Sequence, residues 1–296
     1  MDKEIPDALR VSLMVKVRPD GADGPDNDLS KLAETEEEAF TYLTLKWVIN
    51  SYSWNDVVAL VWIGADYSPS RATAVYRPFV EGGYLQIDKM IGCEDWVLSR
   101  LLEISRMEED RQRRREQPGI GRGRGGNEDD DDLTAKAADL DHQLNARLRY
   151  HTTRRNRLSS DRERDVAYIS EMWIHTALVY LHVVTAGPRS SHPRLRHYVA
   201  SGLHAYVRLP RHDDIHTALP FAVLASMACG EEEQAEFWRV ATSPRSLGEI
   251  NPGQRKTLAI VKECWRLREL MESSSPDGGV FWRDGAKSLG QVVFPV

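Results

Sequence analysis

Apolar residues recur at helical spacing along most of the chain. Ala39, Phe40, Leu43 and Trp47 share one helical face, and Glu36 to Glu38 occupy the early turns, where negative charge suits a helix N-terminus. Ser53, with Asp56 three residues on, predicts the cap of a second helix whose inner side carries Val57, Val58, Val61 and Trp62. Val97, Leu98, Leu101, Leu102 and Ile104 make the stripe of a further helix, with Asp95 near its start. Leu140, Leu144 and Leu148 follow at spacings of four. After Ser160 and Asp161 comes VAYISEMWIHTALVYLHVVTAG, apolar nearly all round, which predicts a helix in the middle of the fold. Gly187-Pro188 stops it. Pro193 suits the first turn of the next helix, which carries Leu195, Tyr198, Val199, Leu203 and Val207 and stops at Pro210. From Asp213 to Val296 the pattern predicts three or four more amphipathic helices, each with a large aromatic residue on its apolar side. No segment alternates as a strand would, and VVFPV at the end is interrupted by Pro295. The prediction is an all-α array of about ten helices packed as antiparallel pairs.

Breaks in the pattern set the organisation. Residues 1–34 read as a partly flexible N-terminal extension, since RPDGADGPDND has no apolar period. Residues 35–296 form the helical domain. Within it, 111–132 (RQRRREQPGIGRGRGGNEDDDD) has too little apolar surface to offset its ordering entropy, so a disordered insertion is expected. A length of 296 residues suffices for a large buried core. Cys93, Cys229 and Cys264 lie far apart in apolar surroundings, which fits small buried hydrophobes in a reducing compartment rather than a disulfide framework. The acidic start MDKEIPDALR is unlike a signal peptide, and the apolar run from Val57 to Gly64 is far below the ~20 residues that span a bilayer. These features predict a soluble intracellular protein with no membrane association. A net charge of −6 does not suggest a phosphate-binding surface as a whole.

Candidate chemistry is sparse. His212 and His216 stand four apart, as a zinc-binding helix requires, but no glutamate holds the general-base position, and capping explains Asp213 and Asp214. No metal, cofactor or catalytic residue is therefore assigned. GIGRGRGG follows no strand pattern and reads as a loop rather than a dinucleotide fingerprint. His175 and His182, seven apart on the most apolar helix, are candidate pocket-lining residues together with Trp173 and Trp265. Arg111, Arg113, Arg114 and Arg115 form a basic run of the kind that serves nuclear localisation.

Four segments, taken in order, carry a resemblance to a known family. Gly92-Cys93 with Trp96 and LLEIS at 101–105 looks like a Gly-Cys helix ending in Glu-Ile; HTALVYLHVVTAGPRSSHPRL at 175–195 looks like an Ala-x-x-x-Tyr-Leu-His helix with a Pro-rich turn. LPFAVLASMACGEEEQAEFW at 219–238 resembles a Pro-Leu/Phe-x-x-Ala-Gly-Cys helix with an acid-rich turn, and ECWRLRE at 263–269 and FWRDGAKSLG at 281–290 look like Trp-Arg endings. The set resembles the fungal-specific transcription factor domain, the regulatory domain of binuclear zinc-cluster transcription factors, over roughly residues 35–296. The family's six-cysteine zinc cluster has no counterpart here, and Gln291 stands where the family usually has an apolar or aromatic residue. The resemblance implies a regulatory domain that works in the nucleus through protein partners of the transcription machinery, with a small-molecule ligand and a homodimer as further candidates. It does not imply direct DNA binding by this chain. The alternative it implies is a stand-alone relative, cytoplasmic if an enzyme, recruited to bind or transform a metabolite in a fungal biosynthetic pathway.

Overall fold

A computed structural model describes residues 36–64, 91–116, 126–155, 157–158, 160–209, 214–242, 252–272 and 279–291. Among them the regular structure is helical: α1 Glu36–Ile63, α2 Asp95–Glu116, α3 Gly126–Arg155, α4 Asp161–Ala186, α5 Pro193–Val207, α6 Asp214–Ser226, α7 Glu231–Ala241, α8 Pro252–Glu272 and α9 Trp282–Ser288. The fold is all-α, and these nine helices of the described residues come close to the expected ten. The N-terminal extension, His212 and the terminal VVFPV lie outside the described residues.

The chain divides into two units, Met1–Trp47 and Val48–Val296. In the first, only the opening turns of α1 are described. Phe40, Leu43 and Trp47 do share a face there, but they are 72%, 52% and 62% exposed. Helical period identifies which residues lie together; it does not identify what covers them. The expected break at Ser53 is absent, because α1 runs on as one helix through it. Ser53 is buried mid-helix, where the neighbouring amides bond within the helix and leave nothing to cap.

The second unit is arranged around α4. Its buried residues run without interruption from Ile169 to Leu181, so no face is left for solvent, and it packs against α2, α3, α5 and α6. Both predicted ends form: the Ser160 hydroxyl accepts from the Glu163 amide, and Gly187 takes φ +88° at the C-cap. Pro193 opens α5 after His192. Gly202 lets α5 approach closely; a Cβ there would lie 2.6 Å from Leu224 Cδ1 and 3.3 Å from His175 Cβ. Beyond this layer, α8 packs against both α6 and α9. Gly285 seats α9, since a Cβ would come within 2.4 Å of Cys264 Sγ and 2.7 Å of the Ile260 carbonyl.

The charge-rich stretch at 111–132 differs in extent from the expectation. Residues 111–116 belong to α2 and 126–132 to α3, while 117–125 lie outside the described residues. Pairs at helical spacing accompany these ends, Arg113 with Glu109, Gln112 with Glu116 and Lys136 with Asp132.

Buried helix C-termini pose a problem that the chain solves repeatedly with arginine. The last carbonyls of a helix have no partner within it and carry partial negative charge. Near the end of α1, the Val61 carbonyl accepts from Trp282 Nε1 at 3.1 Å and from Arg283 Nε and Nη2 at 3.2 and 2.8 Å. The same guanidinium pairs with Glu108 of α2 and donates to the Tyr180 hydroxyl of α4, which in turn bonds Ser105 and Glu108. At the end of α6, Trp265 Nε1 donates to the Ala225 carbonyl, and Arg268 donates to the Ser226 and Ala228 carbonyls and onward to Val280. At the end of α4, Arg111 of α2 donates to the carbonyls of Val184 and Thr185.

Removing one partner of a buried ion pair leaves the other charge uncompensated. Arg283→Met should therefore lower unfolding free energy by roughly 3–5 kcal/mol. Adding Glu108→Leu should recover part of that loss, because the stranded carboxylate goes with it. Urea denaturation of the two single variants and the double variant measures the coupling; strict additivity would refute it.

Candidate functional site

The ends of α2 and α4, the first half of α3 and the start of α5 line a half-open cavity of about 620 Å³. That volume lies within the ~300–1,000 Å³ typical of small-molecule sites. Its apolar floor comes from Leu178 and Leu181 of α4, Met107 of α2, and Leu133 and Ala137 of α3. Each is present for a helical reason: residues three or four apart on α3 and α4 project toward the same seam.

The polar wall is a small network. Arg194 Nη2 donates to both oxygens of Asp141 at 2.8 Å and to the Tyr198 hydroxyl at 3.1 Å, while that hydroxyl donates to Asp141 Oδ1 at 3.1 Å. Arg194 and Tyr198 are four apart on α5, so one helical turn brings them together, and Asp141 arrives from α3. The triad separates the cavity from a second, more open cleft of about 650 Å³, bordered by His142, Asn145, Arg149 and His197. Arg111 also lines the cavity, although its guanidinium holds the α4 carbonyls.

His182 is a polar group of this cleft with a buried atom left unpartnered. Its ring lies against that of His192 with centroids 4.4 Å apart and the planes tilted by 46°, and its Nε2 is buried without a hydrogen-bond partner. A buried polar atom left unsatisfied costs roughly 1–3 kcal/mol. Burial, followed by the nearby charges of His192 and Arg194, lowers its pKa to about 4, so the ring is neutral near pH 7. The neutral imidazole has one donor nitrogen and one acceptor.

The other sequence candidates are not assembled here. Trp173 is fully buried and meets Trp54 edge-to-face at 4.8 Å, with Nε1 unpartnered. His175 is buried beneath α5; burial, then His197, lowers its pKa to about 3. Trp265 stands on α8 and bonds α6. Of these four residues, only His182 lines either of the two clefts. In the basic run, Arg111 is occupied by the end of α4, whereas Arg113, Arg114 and Arg115 are exposed. Among the described residues no group of three or more His, Cys, Asp or Glu could hold a metal ion. Burial pushes the Cys264 thiol up to about 12, far from the thiolate a nucleophile needs.

Asp141, Arg194 and Tyr198 were missed by the sequence reading. The four-residue spacing of Arg194 and Tyr198 was visible, but their acid lies on another helix more than 50 residues earlier.

The buried histidines have a pH consequence. A folded pKa below the unfolded ~6.5 means that the unfolded chain takes up protons first, so the stabilisation is complete above pH 6.5 and is lost as pH falls toward 4 for His182 and 3 for His175. Each contributes a slope of at most ~1.4 kcal/mol per pH unit. Glu94 adds a lower step: burial raises its pKa, but His151 and Arg147 outweigh this and hold it at about 2, so its contribution disappears between pH 4.5 and 2. His175→Gln should flatten the fall of the melting temperature between pH 6.5 and 4, as read by circular dichroism; an unchanged slope would refute the assignment.

The comparisons with known proteins agree with this architecture. The profile described as "Fungal specific transcription factor domain" matches residues 24–293. A curated relative, the trichothecene biosynthesis transcription regulator TRI10 of Trichoderma arundinaceum, is 23% identical over 270 residues, covering 85% of this chain and 55% of its own length. The chain thus spans about half the length of that relative. No solved structure matches significantly. With the profile covering nearly the whole chain, the protein belongs to the fungal-specific transcription factor domain family.

Proposed function

We propose that this chain is the regulatory domain of a fungal transcription factor, acting in the nucleus through protein partners of the transcription machinery and responding to a small metabolite. The match over residues 24–293 is the observation that carries this reading. The role of the T. arundinaceum relative, transcription regulation of trichothecene biosynthesis, supports it. The motifs that carry the family resemblance also have a structural use: Trp265, Arg268, Trp282 and Arg283 hold helix ends, which suits a rigid regulatory scaffold. DNA is read by another element under this proposal, and the chain itself makes no direct DNA contact. Exposed Arg113, Arg114 and Arg115 form the import signal. No helix of the described residues is long and apolar enough to cross a membrane.

The cavity favours a second reading, in which a stand-alone relative binds or transforms a metabolite in a biosynthetic pathway. The two readings differ in what the chain does at a promoter. Fused to a heterologous DNA-binding domain in a fungal host, the chain should change reporter transcription relative to that DNA-binding domain alone, and a fluorescent fusion should concentrate in the nucleus. Replacing Arg113, Arg114 and Arg115 together with Ala should move the fluorescent fusion toward the cytoplasm. A reporter indifferent to the fused chain would overturn the regulatory reading.

A further inference from the structure

The charged groups that line the cavity between α2, α3, α4 and α5 are answered within the protein. Asp141 accepts from Arg194 Nη2 on both carboxylate oxygens, and the Tyr198 hydroxyl joins the same pair. The Arg194 side chain is 58% exposed, so its remaining N–H groups face water. Arg111, the other cation of the lining, is held by the last carbonyls of α4. The Thr185 hydroxyl donates to the Leu181 carbonyl. That leaves His182. Neither of its ring nitrogens has a hydrogen-bond partner among the described residues, and Nε2 is buried. Below it lies the apolar floor of Met107, Leu133, Ala137, Leu178 and Leu181.

A wall whose charges are already answered offers an ion nothing to replace its hydration, so a charged ligand enters at a net cost. An uncharged ligand escapes that cost. The imidazole is neutral near pH 7 and has one N–H donor and one acceptor nitrogen, and a hydroxyl can pair with either. We propose that this cavity binds an uncharged molecule with an apolar body and a hydroxyl group, the body against Leu178, Leu181 and Ala137 and the hydroxyl on His182. This names the chemical class of the metabolite in the function proposed above and rests on that reading. His182 is the group that separates such a ligand from a plain hydrocarbon, which would fill the floor but leave the imidazole unpaired. A cavity with these polar groups is also roomy enough for water, the competing occupant.

The test is isothermal titration calorimetry of the full chain near pH 7 with octanol, sodium octanoate and octylammonium chloride, which share one apolar tail. Octanol should bind saturably, one per chain, and roughly tenfold or more tighter than either ion, because each ion gives up hydration for no counter-charge. His182→Leu removes both ring nitrogens and should weaken octanol by about fivefold, the worth of one hydrogen bond. Ala137→Phe, which fills the floor from a half-buried position, should weaken octanol by roughly tenfold or more. If circular dichroism shows that Ala137→Phe does not fold, Leu133→Trp fills the same floor from the same helix. No saturable octanol binding would mean that the cavity holds water only and would overturn the proposal. Either ion binding as tightly as octanol would overturn the uncharged assignment. Affinity retained in the floor-filling variant would overturn the site, and affinity retained in His182→Leu would overturn the hydroxyl contact. The reporter fusion is read without added octanol. A chain that drives the reporter but binds no octanol therefore refutes the site alone, and a chain that binds octanol but leaves the reporter unchanged refutes the regulatory reading alone.

Discussion

The Val61 carbonyl, near the end of α1, accepts from both Trp282 and Arg283. In water this carbonyl would need no such attention. Inside a core of buried side chains, an orphan helix end keeps its desolvation penalty and its partial negative charge. Arg283 answers both and adds Glu108 and Tyr180, so α1, α2, α4 and α9 meet at one guanidinium. Arg268 at α6 and Arg111 at α4 repeat the solution. Arginine suits it because its several donors, fixed in one plane, can serve more than one acceptor at a time. Such networks cost much when broken and specify one arrangement of the helices they join.

That arrangement leaves an uneven distribution of polar capacity. The buried arginines of the C-terminal helices are committed to backbone carbonyls, and Arg194 is committed to Asp141 and Tyr198. The cavity beside it combines an apolar floor with a neutral histidine whose Nε2 has no partner. Satisfied networks give rigidity.

Much of the fold was legible in local pattern. The limits of α4 followed from Ser160 and Gly187, the start of α5 from Pro193, and the burial of α4 from its lack of a polar face. The errors lie where local pattern underdetermines context. Ser53 looked like a cap, yet the helix runs through it, because capping residues are tolerated inside helices that tertiary packing supports. Phe40, Leu43 and Trp47 share a helical face as the spacing predicts, yet all three are exposed. The site was less legible. His182 was singled out for its place on an apolar helix, but its surroundings combine residues of four helices. Arg283 appeared only as part of a Trp-Arg motif, since its partner Glu108 lies 175 residues away and no spacing rule reaches that far.

The central claim is that this guanidinium joins the helices of the second unit into one cooperative structure. Hydrogen exchange of the full chain carrying Arg283→Met, followed by mass spectrometry, tests it most directly. If the claim holds, amides in α2 and α4 lose protection together with those of α9 and the end of α1, because one opening event exposes them all. Faster exchange confined to α9, with α2 and α4 protected as in the parent chain, would contradict it.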